Sequence, residues 1–397
     1  MELFVGAGGL GLGVCRAGFS PLLVADWDHD SCETIRENQR RNVAHVRTWP
    51  LHEGDVCDLK YTNIPEGIDL LAGGPPCQPF SICGKHRGYD DHRDMFPQVA
   101  RAVRALKPKA ILIENVRGLT RPKFARYFFY VTLQLKYPEV TRKGSESWED
   151  HCSRLERYHT RGRPSGLYYR IVPKVINAAD YGVPQQRWRV VIVGFRSDLN
   201  CEWSFPRETH SSDALLFDQW VSGEYWERHR IPRSRRPEPS PQITRRAAQL
   251  RDRIFSLAGD CPWRTVRDAL TDLPQPLDTE RPGIENHRFI PGARTYVGHT
   301  GSPYDWPAKT LKAGDHGVPG GENMLVMDNG AVRYFSVREA ARLQTFPDEY
   351  VFPVAWSESM RQIGNAVPVT LAELMARDIC AHLQPVATGR DGARAAV

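Results

Sequence analysis

A cysteine in a stiff turn is the first residue of the chain with evident chemistry. Cys77 follows Gly73-Gly74-Pro75-Pro76 and precedes Gln78-Pro79-Phe80-Ser81. The apolar run Ile68–Ala72 before the turn is typical of a short buried strand, which the glycines and prolines end. A thiol just past the carboxyl end of a strand lies where open α/β sheets bind their ligands. A buried structural cysteine in a tight turn fits this stretch equally well, so the flanking elements must decide.

The start of the chain has the pattern of a strand, a glycine turn and a helix. The sequence predicts a strand over Glu2–Val5 and then a helix that runs to Ala17 and is ended by Gly18. The turn between them contains the spacing G-x-G-x-x-G, formed by Gly6, Gly8 and Gly11. Glycines at these positions let a nucleoside approach the backbone at a helix N-terminus. The motif is weak by itself, because a glycine-rich turn can also be kept for tight packing.

An acid and an indole favour a nucleoside cofactor. The second predicted strand, 21–25, ends in Asp26-Trp27, and a third unit ends in Gly54-Asp55-Val56. A carboxylate at the tip of the second strand can hold ribose hydroxyls, and a neighbouring indole can cover an adenine face. The glycine turn does not separate a nicotinamide dinucleotide from S-adenosylmethionine. Cys77 favours the latter, because hydride transfer has no evident use for a thiol there.

A carboxylate stands at the next strand tip. The segment Ser81–Asp94 is polar, contains glycine and several cations, and is predicted to be a mobile loop with a basic face. A helix over Met95–Ala105 has its apolar residues on one face, and the strand Ala110–Ile113 runs directly into Glu114. A single acid at a strand end is usually a solvated turn residue. Two adjacent strand tips that present Cys77 and Glu114 to one crevice are harder to dismiss.

Two arginines lie near the same crevice. Arg187 and Arg189 are two residues apart in an extended segment, so they should point to the same face. The strand-like run Leu167–Ala178 precedes them and the apolar strand Val190–Gly194 follows, which predicts a hairpin. Arginines at the exposed mouth of a strand can serve solubility alone. Their place in a hairpin beside the crevice makes them candidate site residues.

Composition limits the class of protein. The 397 residues are enough for two domains, and 41% of them are apolar. No run is long enough to span a membrane, and no signal peptide is visible. Nine cysteines without a C-x-x-C pair fit neither a disulfide framework nor a zinc site. These features predict a metal-free protein of the reducing cytoplasm. The net charge of +6 is modest for this length, so the distribution of the charges along the chain is more informative than their total.

Three segments depart from the alternation of strands and helices. Residues 138–166 hold six basic and five acidic residues without convincing periodicity, and are predicted to be an insertion that leaves the sheet. Residues 200–334 are rich in Pro, Gly, Arg and Trp, and nine arginines lie in the stretch 228–253. Proline-punctuated arginine beside a cleft suits phosphate contact, although an arginine run is usually a solvated face. The small, polar segment 385–397 is predicted to be disordered.

Six short blocks resemble, in order, hallmark motifs of the C5-cytosine DNA methyltransferases. The first four are Phe4-x-Gly6-x-Gly8-Gly9, Gly74-Pro75-Pro76-Cys77-Gln78-Pro79-Phe80-Ser81, Glu114-Asn115-Val116 and Gln185-x-Arg187-x-Arg189. The last two are 338–348, Arg-Glu-Ala-Ala-Arg-Leu-Gln-x-Phe-Pro-Asp, and 362–368, Gln-Ile-Gly-Asn-Ala-Val-Pro. Any one block could arise by chance, but an ordered set is highly specific.

The resemblance implies a fold and an activity. The fold would be a doubly wound, Rossmann-like α/β sheet that binds S-adenosylmethionine, carried by a catalytic domain of 1–199 and 335–384, with the sheet returning after about 335. Residues 200–334 would form a small, irregular target-recognition domain. The enzyme would transfer a methyl group to C5 of a cytosine flipped out of a specific double-stranded DNA site. It would be monomeric, nucleoid-associated and the modification enzyme of a restriction-modification system, with a cognate endonuclease encoded nearby.

The resemblance also assigns roles to residues. Cys77 would add to C6 of the cytosine, and Glu114 would give a proton to N3. Arg189 would lie near O2, with Arg187 supporting the site. The residues that would bind the cofactor are Phe4, Gly6, Ala7, Gly9, Asp26, Trp27, Asp55, Val56, Pro75, Asn365 and Val367. Those that would contact DNA are Gln78, Ser81, Lys85, Arg87 and Thr310.

Three other classes compete with this interpretation. A tRNA cytosine-5 methyltransferase of the same fold ranks second, because enzymes of that type usually carry Cys-Phe-Thr in the recognition region and this chain has no such tripeptide. A non-catalytic DNA-binding module would need a lost nucleophile or acid, and both Cys77 and Glu114 are present. A nicotinamide oxidoreductase is left with the glycine turn alone.

Overall fold

The computed structural model describes residues 1–76, 94–162, 166–251, 260–280, 282–297, 299–313 and 323–384. Within these ranges the chain forms twelve short strands and twelve α-helices. Outside them lie Cys77, the predicted DNA contacts Gln78, Ser81, Lys85 and Arg87, nearly all of the predicted loop 81–94, and the tail 385–397.

Seven strands form one sheet in the order β3-β2-β1-β4-β5-β7-β6. They are Glu2–Leu3 (β1), Val24–Asp26 (β2), Leu51–Glu53 (β3), Leu70–Gly73 (β4), Ala110–Val116 (β5), Tyr169–Asn177 (β6) and Trp188–Arg196 (β7). The first five are parallel, and β7 runs antiparallel to both β5 and β6. The doubly wound, Rossmann-like sheet and the hairpin are both confirmed. The strand order reverses between β1 and β4, which is where such sheets bind ligands.

The α-helices lie on both faces of the sheet and beyond it. They are Gly9–Arg16 (α1), His29–Arg40 (α2), Phe96–Leu106 (α3), Ala125–Lys136 (α4), Trp148–Thr160 (α5), Ser212–Phe217 (α6), Glu224–Arg228 (α7), Pro241–Arg251 (α8), Val266–Leu270 (α9), Val337–Leu343 (α10), Trp356–Asn365 (α11) and Val369–Leu383 (α12). No helix of the described ranges is long and apolar enough to cross a membrane.

Alternation along β5 decides which way the candidate acid points. Ile111 and Ile113 belong to the apolar cluster that includes α3 and α4. Ala110 and Leu112 belong to the cluster that includes α1 and α12. Because side chains of a strand alternate between faces, Glu114 continues the second set. It therefore lies at the carboxyl end of β5, on the face that α1 and α12 cover.

The predicted insertion contains a helix that packs against the body of the protein. In α5, the buried residues Trp148, His151, Cys152 and Leu155 follow a helical spacing. The Trp148 ring lies 5.6 Å from the Tyr127 ring of α4. The prediction of an aperiodic excursion is therefore wrong for 148–160. Abundant charges hid the short apolar stripe that holds this helix against α4.

The sheet neither continues into 200–334 nor returns after 335 in the described residues. Small sheets occupy the middle segment: His210–Ser211 (β8) pairs with Cys261–Pro262 (β9), and Met324–Val326 (β11) pairs with Ser302–Pro303 (β10) and Val332–Tyr334 (β12). After 335 the chain comes back as helices, so the predicted return of the sheet itself is wrong. Its last helix, α12, packs on α1 so closely that a Cβ atom built on Gly13 would lie 2.5 Å from Ala372 Cβ.

A buried carboxyl group behind the glycine turn makes stability depend on pH. Glu2 is 4% exposed and lies against the first turn of α1. Burial is the main reason that its pKa is raised from 4.5 to about 8. Between these values the folded protein keeps a proton that the unfolded chain has released. Stability therefore falls as pH rises through this window.

We expect Glu2→Gln, which keeps the shape of the protonated acid, to be more stable than the wild type near pH 8. The thermal midpoint should rise by several degrees, since ~1 kcal/mol shifts the midpoint of a large domain by about 2–4 °C. The difference between the two thermal midpoints should shrink as pH falls toward 4.5, the usual pKa of a glutamate side chain. Thermal melts across this range test the prediction, with the exposed Glu349→Gln as control. A difference between the two proteins that does not change with pH would contradict it.

Candidate active site

Glu114 and Arg189 meet at the carboxyl end of β5. Arg189 Nε lies 2.8 Å from Glu114 Oε1, and the two side chains are 11% and 10% exposed. The register explains the contact: Arg189 is opposite Val116 and Glu114 is opposite Val191, so both side chains are on one face of the strand pair. Despite this proximity, Glu114 Oε1 is buried without a hydrogen bond from any described residue. The contact with Arg189 is therefore an ion pair that lacks the geometry of a hydrogen bond.

The start of the cysteine turn is held against this pair. β4 and β5 are parallel neighbours, as predicted. A Cβ atom built on Gly74 would lie 3.7 Å from Glu114 Oε2. Asn115 donates a hydrogen bond from Nδ2 to the Pro75 carbonyl oxygen at 3.0 Å. The main chain is thus fixed two residues before Cys77, which itself lies outside the described ranges.

Arg187 is fully buried and joins three segments of the chain. Its Nη atoms donate hydrogen bonds to the carbonyl oxygens of Leu311, Gly364 and Ala366, at 3.2, 2.7 and 2.9 Å. Burial and then the nearby Arg189 hold the pKa of its guanidinium well below the usual range. All of these partners are main-chain atoms. Arg187 is therefore a positioning residue for the segments around the crevice.

The glycine turn and Asp26 are bound to each other. Asp26 Oδ2 accepts a hydrogen bond from the Gly6 amide at 2.7 Å, and Oδ1 accepts one from the Asp28 amide at 2.9 Å. Burial is the main reason that the pKa of this carboxyl group is raised. Trp27 beside it is 75% exposed. A fixed carboxylate next to an uncovered indole fits the ribose and adenine of a nucleoside cofactor.

The glycines of the turn do different things. Gly6 has a φ of +53°, and a Cβ atom there would meet nothing within 4 Å. A Cβ atom on Gly8 would lie 2.8 Å from the Trp49 ring, and one on Gly9 would lie 2.4 Å from the Val367 carbonyl oxygen. Gly6 therefore leaves the backbone open to a ligand, whereas the other two let α1 pack closely on its neighbours. The packing interpretation is thus confirmed at Gly8 and Gly9, whereas nucleoside binding at Gly6 stays a prediction.

Residues on either side of the turn complete its surroundings. Phe4 precedes the turn with a φ of 59°, a conformation that costs a residue other than glycine roughly 1–2 kcal/mol. The Ala7 carbonyl oxygen accepts a hydrogen bond from the Tyr350 hydroxyl at 2.7 Å. Asn365 is exposed, and Val367 is 8% exposed. The predicted approach of 365–367 to the turn is thus seen in the contact of Val367 with Gly9.

The third strand tip adjoins the second. The Gly54 amide donates a hydrogen bond to the Asp26 carbonyl oxygen at 2.8 Å. Asp55 is exposed, and its carboxylate accepts a hydrogen bond from the Cys57 amide at 2.8 Å. Val56, in contrast, is 4% exposed and belongs to the apolar core. Of this predicted pair, Asp55 is the one whose side chain faces solvent near the turn.

The sequence of this chain matches a model of a known protein family. The family model of C-5 cytosine-specific DNA methylases matches residues 1–137 and 165–381. The chain belongs to this family. The break between the two matched ranges, 138–164, contains α5.

Type II methyltransferases resemble the methylase over almost its whole length. M.Eco47II of Escherichia coli is 31% identical over 382 residues, which cover 96% of this chain and 78% of that protein. M.NgoMIV of Neisseria gonorrhoeae is 30% identical over 384 residues, which cover 97% of both proteins. The methylase is a C5-cytosine DNA methyltransferase of the type found in Type II restriction-modification systems.

Two solved structures share the fold of the methylase. The Dnmt2 methyltransferase of Schizosaccharomyces pombe has a TM-score of 0.53 at 16% identity and covers 97% of both chains. A DNMT2 mutant of Spodoptera frugiperda has a TM-score of 0.55 at 14% identity, with coverage of 96% of this chain and 98% of that one. At these identities the likeness concerns the fold alone.

Two buried amide side chains of the methylase hold its motifs together, although sequence reasoning did not single them out. Gln185 Oε1 accepts a hydrogen bond from the Leu311 amide at 3.1 Å, and its Nε2 donates to Gln344 Oε1 at 3.3 Å. Gln344 in turn donates from Nε2 to the Ile363 carbonyl oxygen at 2.7 Å. Both residues belong to recognised motif blocks. Both are 0% exposed, and the signal in the sequence that could have identified them is their position inside these motif blocks.

The predicted DNA contact Thr310 stands beside this network. Its Oγ1 donates a hydrogen bond to the Gln186 carbonyl oxygen at 2.7 Å. The Gln186 amide donates to the Ala308 carbonyl oxygen at 2.8 Å. The segment that contains Thr310 is therefore attached directly to the chain entering β7. Any contact with DNA would be made by a hydroxyl whose own proton is already engaged.

The arginine-rich stretch 228–253 is partly neutralised within the methylase. Arg228 lies 3.1 Å from Asp218 and 3.5 Å from Asp268. Arg246 forms an ion pair with Asp213. These two arginines are therefore engaged with carboxylates of α6–α9 and their flanking residues.

Proposed function

We propose that the methylase transfers a methyl group from S-adenosylmethionine to C5 of a cytosine flipped out of a specific duplex DNA site, through a covalent bond between Cys77 and C6. The observation that supports this most directly is the Glu114–Arg189 ion pair, held beside the start of the cysteine turn. Base flipping is needed because the reacting atoms cannot be reached inside a duplex, and it costs roughly a few kcal/mol.

The residues would divide the addition step among them. Cys77, as a thiolate, forms the bond from sulfur to C6, and the displaced electron pairs move through C4–C5 and onto N3. Glu114 gives N3 a proton, which leaves C5 with the character of an enamine carbon. Arg189 donates hydrogen bonds to O2 and favours the thiolate, since a free thiol with a pKa near ~8.5 is only slightly ionised at neutral pH.

S-Adenosylmethionine, when bound, supplies an electrophilic methyl group to C5. Loss of the C5 proton to a base then restores the double bond between C5 and C6 and expels Cys77 as a thiolate. N3 returns its proton to Glu114, which regenerates the acid. The chain's own part in holding the cofactor falls to the open backbone at Gly6, the carboxylate of Asp26 and the exposed ring of Trp27. Arg187 keeps the segments around the crevice in register.

We expect Asp26→Ala to weaken binding of S-adenosylmethionine by at least about tenfold, the factor that one charge-assisted hydrogen bond is worth. The change removes the acceptor for the ribose and also the group that anchors the Gly6 amide. Titration calorimetry of the wild type and the variant measures the effect, with Asp30→Ala on the exposed side of α2 as control. Undiminished affinity in Asp26→Ala would refute the proposed ribose contact.

The decisive test of the whole proposal offers tritiated S-adenosylmethionine together with either duplex DNA or tRNA. We expect label in DNA only. Label in tRNA instead would support the competing tRNA methyltransferase. Bisulfite sequencing of a host that expresses the methylase would then read the target: methylation confined to one palindromic sequence is expected, and methylation of cytosines at random would refute a specific reader.

The cellular setting follows from the same proposal. A modification enzyme of this type would act as a monomer on chromosomal DNA in the nucleoid, with the target-recognition role assigned to 200–334. Its cognate endonuclease would be encoded nearby and would cut the same sequence when unmethylated. Sedimentation of the purified methylase with and without a duplex site tests the monomer.

A further inference from the structure

Arg117 and Trp188 form a cation–π pair at the rim of the crevice, and the chemistry above uses neither residue. The Arg117 Cζ atom lies 5.2 Å from the centroid of the Trp188 ring. Arg117 directly follows the last residue of β5, and Trp188 is the first residue of β7. Because side chains alternate along β7, Trp188 lies on the face opposite to that of its neighbour Arg189. The pair therefore borders the site from the other side of the sheet edge.

Both members of the pair are open to solvent. Trp188 is 44% exposed, and Arg117 is exposed as well. Among the described residues, Arg117 forms no ion pair and its guanidinium donates no hydrogen bond. Arg187 and Arg189 next to them are engaged, the first with main-chain carbonyls and the second with Glu114. Arg117 is thus a cation held in place by an aromatic face, with its donors uncommitted.

The geometry decides which kind of group such a cation would bind. A guanidinium in a cation–π contact still presents its five N–H donors in one plane. Two such donors match the paired oxygens of a carboxylate or a phosphate. Beside a crevice that receives a nucleotide from a DNA strand, the anion that is always present is a phosphodiester.

We infer that Arg117, ordered by Trp188, binds a phosphate of the strand that carries the target cytosine and so helps to hold the flipped nucleotide over Glu114 and Arg189. The inference rests on the proposed function, because it requires duplex DNA as the substrate. The cation–π contact with Trp188 restrains the cation before DNA arrives, so less of its conformational freedom is lost on binding. Arg117 and Trp188 are positioning residues in this account and do not touch the reacting atoms.

Arg117→Gln tests the inference. The probe is a duplex that contains the target site of the methylase. We expect its dissociation constant for the duplex to rise about tenfold, the worth of one charge-assisted contact. The slope of log affinity against log salt concentration should fall by about 1, because one phosphate contact is lost. KM for DNA should rise more than kcat falls, and the thermal midpoint should not change. Arg117→Lys should restore the salt slope but only part of the affinity.

Two further variants make the result specific. Arg157→Gln removes an exposed cation from the far end of α5 and should leave DNA affinity and the salt slope at wild-type values. Trp188→Leu should weaken DNA binding less than Arg117→Gln and keep the salt slope, since the charge remains while its support is lost.

The outcomes separate the inference from the proposed function. A wild type that methylates duplex DNA while Arg117→Gln keeps both its affinity and its salt slope would overturn the phosphate contact alone. An equal change in Arg117→Gln and Arg157→Gln would show general electrostatic attraction and would also overturn it. A wild type that neither binds nor methylates duplex DNA would overturn both.

Discussion

Replacing Cys77 with serine is expected to abolish methylation of duplex DNA while leaving the binding of S-adenosylmethionine nearly unchanged. The hydroxyl keeps the shape of the thiol but ionises far less readily, and addition to C6 needs the ionised form. Because Cys77 acts together with an acid and a cation, its loss should cost at least about a thousandfold in rate. Tritium transfer into duplex DNA measures the rate, and calorimetry measures cofactor binding. Cys77→Gly should be equally inactive and could bind the duplex more tightly, since the flipped base would lose its closest steric neighbour.

A duplex with 5-fluorocytosine at the target position gives a sharper form of the same test. Fluorine cannot leave C5 as a proton does, so the enzyme should stall with its sulfur bonded to C6. Denaturing gels should show a cofactor-dependent protein–DNA adduct for the wild type and none for Cys77→Ser. Cys83→Ser serves as the control and should form the adduct normally. An adduct that persists in Cys77→Ser, or that maps to Cys83, would overturn the assignment of the nucleophile.

The strand tips of the site could be predicted from the sequence because their signals are local. The apolar runs of β4 and β5 each end in residues with obvious chemistry or obvious turn geometry, Gly74–Cys77 after one and Glu114 after the other. Parallel neighbours in one sheet present their carboxyl ends at the same edge. Short-range patterns and one rule of topology therefore predict a thiol beside an acid, and the described residues test the acid alone. The alternation of Arg187 and Arg189 is equally local, and it indicates their shared face.

What the sequence left unpredicted depends on contacts between distant segments. Arg187 is attached to Leu311 and Gly364, more than a hundred residues away. No periodicity in 185–190 reveals that its partners are main-chain carbonyls and that it is buried. The different roles of the glycines also depend on distant contacts. Position 9 has no room for a side chain, because the Val367 carbonyl oxygen approaches it from the far end of the chain.

The helix in 138–166 shows a different limit. Its buried residues follow a helical period, but charged residues surround them. These buried residues form an apolar stripe that packs against α4. The stripe contains too few residues to change the composition of the segment noticeably. Tertiary packing, in the form of the Trp148 contacts with Tyr127 and Tyr130, supplies the stabilisation that local propensity does not.

Glu114→Gln is expected to slow methylation by about a hundredfold to ten-thousandfold, the usual worth of a positioned general acid. The amide keeps the size of the carboxyl group and can still face Arg189, but it has no proton to give to N3. Initial rates with tritiated S-adenosylmethionine measure the loss, and thermal melts show whether the fold is intact. A comparable loss of rate in Glu349→Gln, which changes an exposed glutamate, would point to an indirect effect.

The step at which Glu114 acts can be isolated with the 5-fluorocytosine duplex. If its proton assists addition of Cys77 to C6, the adduct should form more slowly in Glu114→Gln by about the factor that separates the methylation rates. The effects of Glu114→Gln and Cys77→Ser should then be far from additive, because both residues serve one bond-forming step. Arg189→Gln, which removes the cation 2.8 Å from Glu114 Oε1, should slow the same addition. Adduct formation at the wild-type rate in Glu114→Gln would move the role of the carboxyl group to a later step, since the thiolate would then add to C6 without a proton at N3.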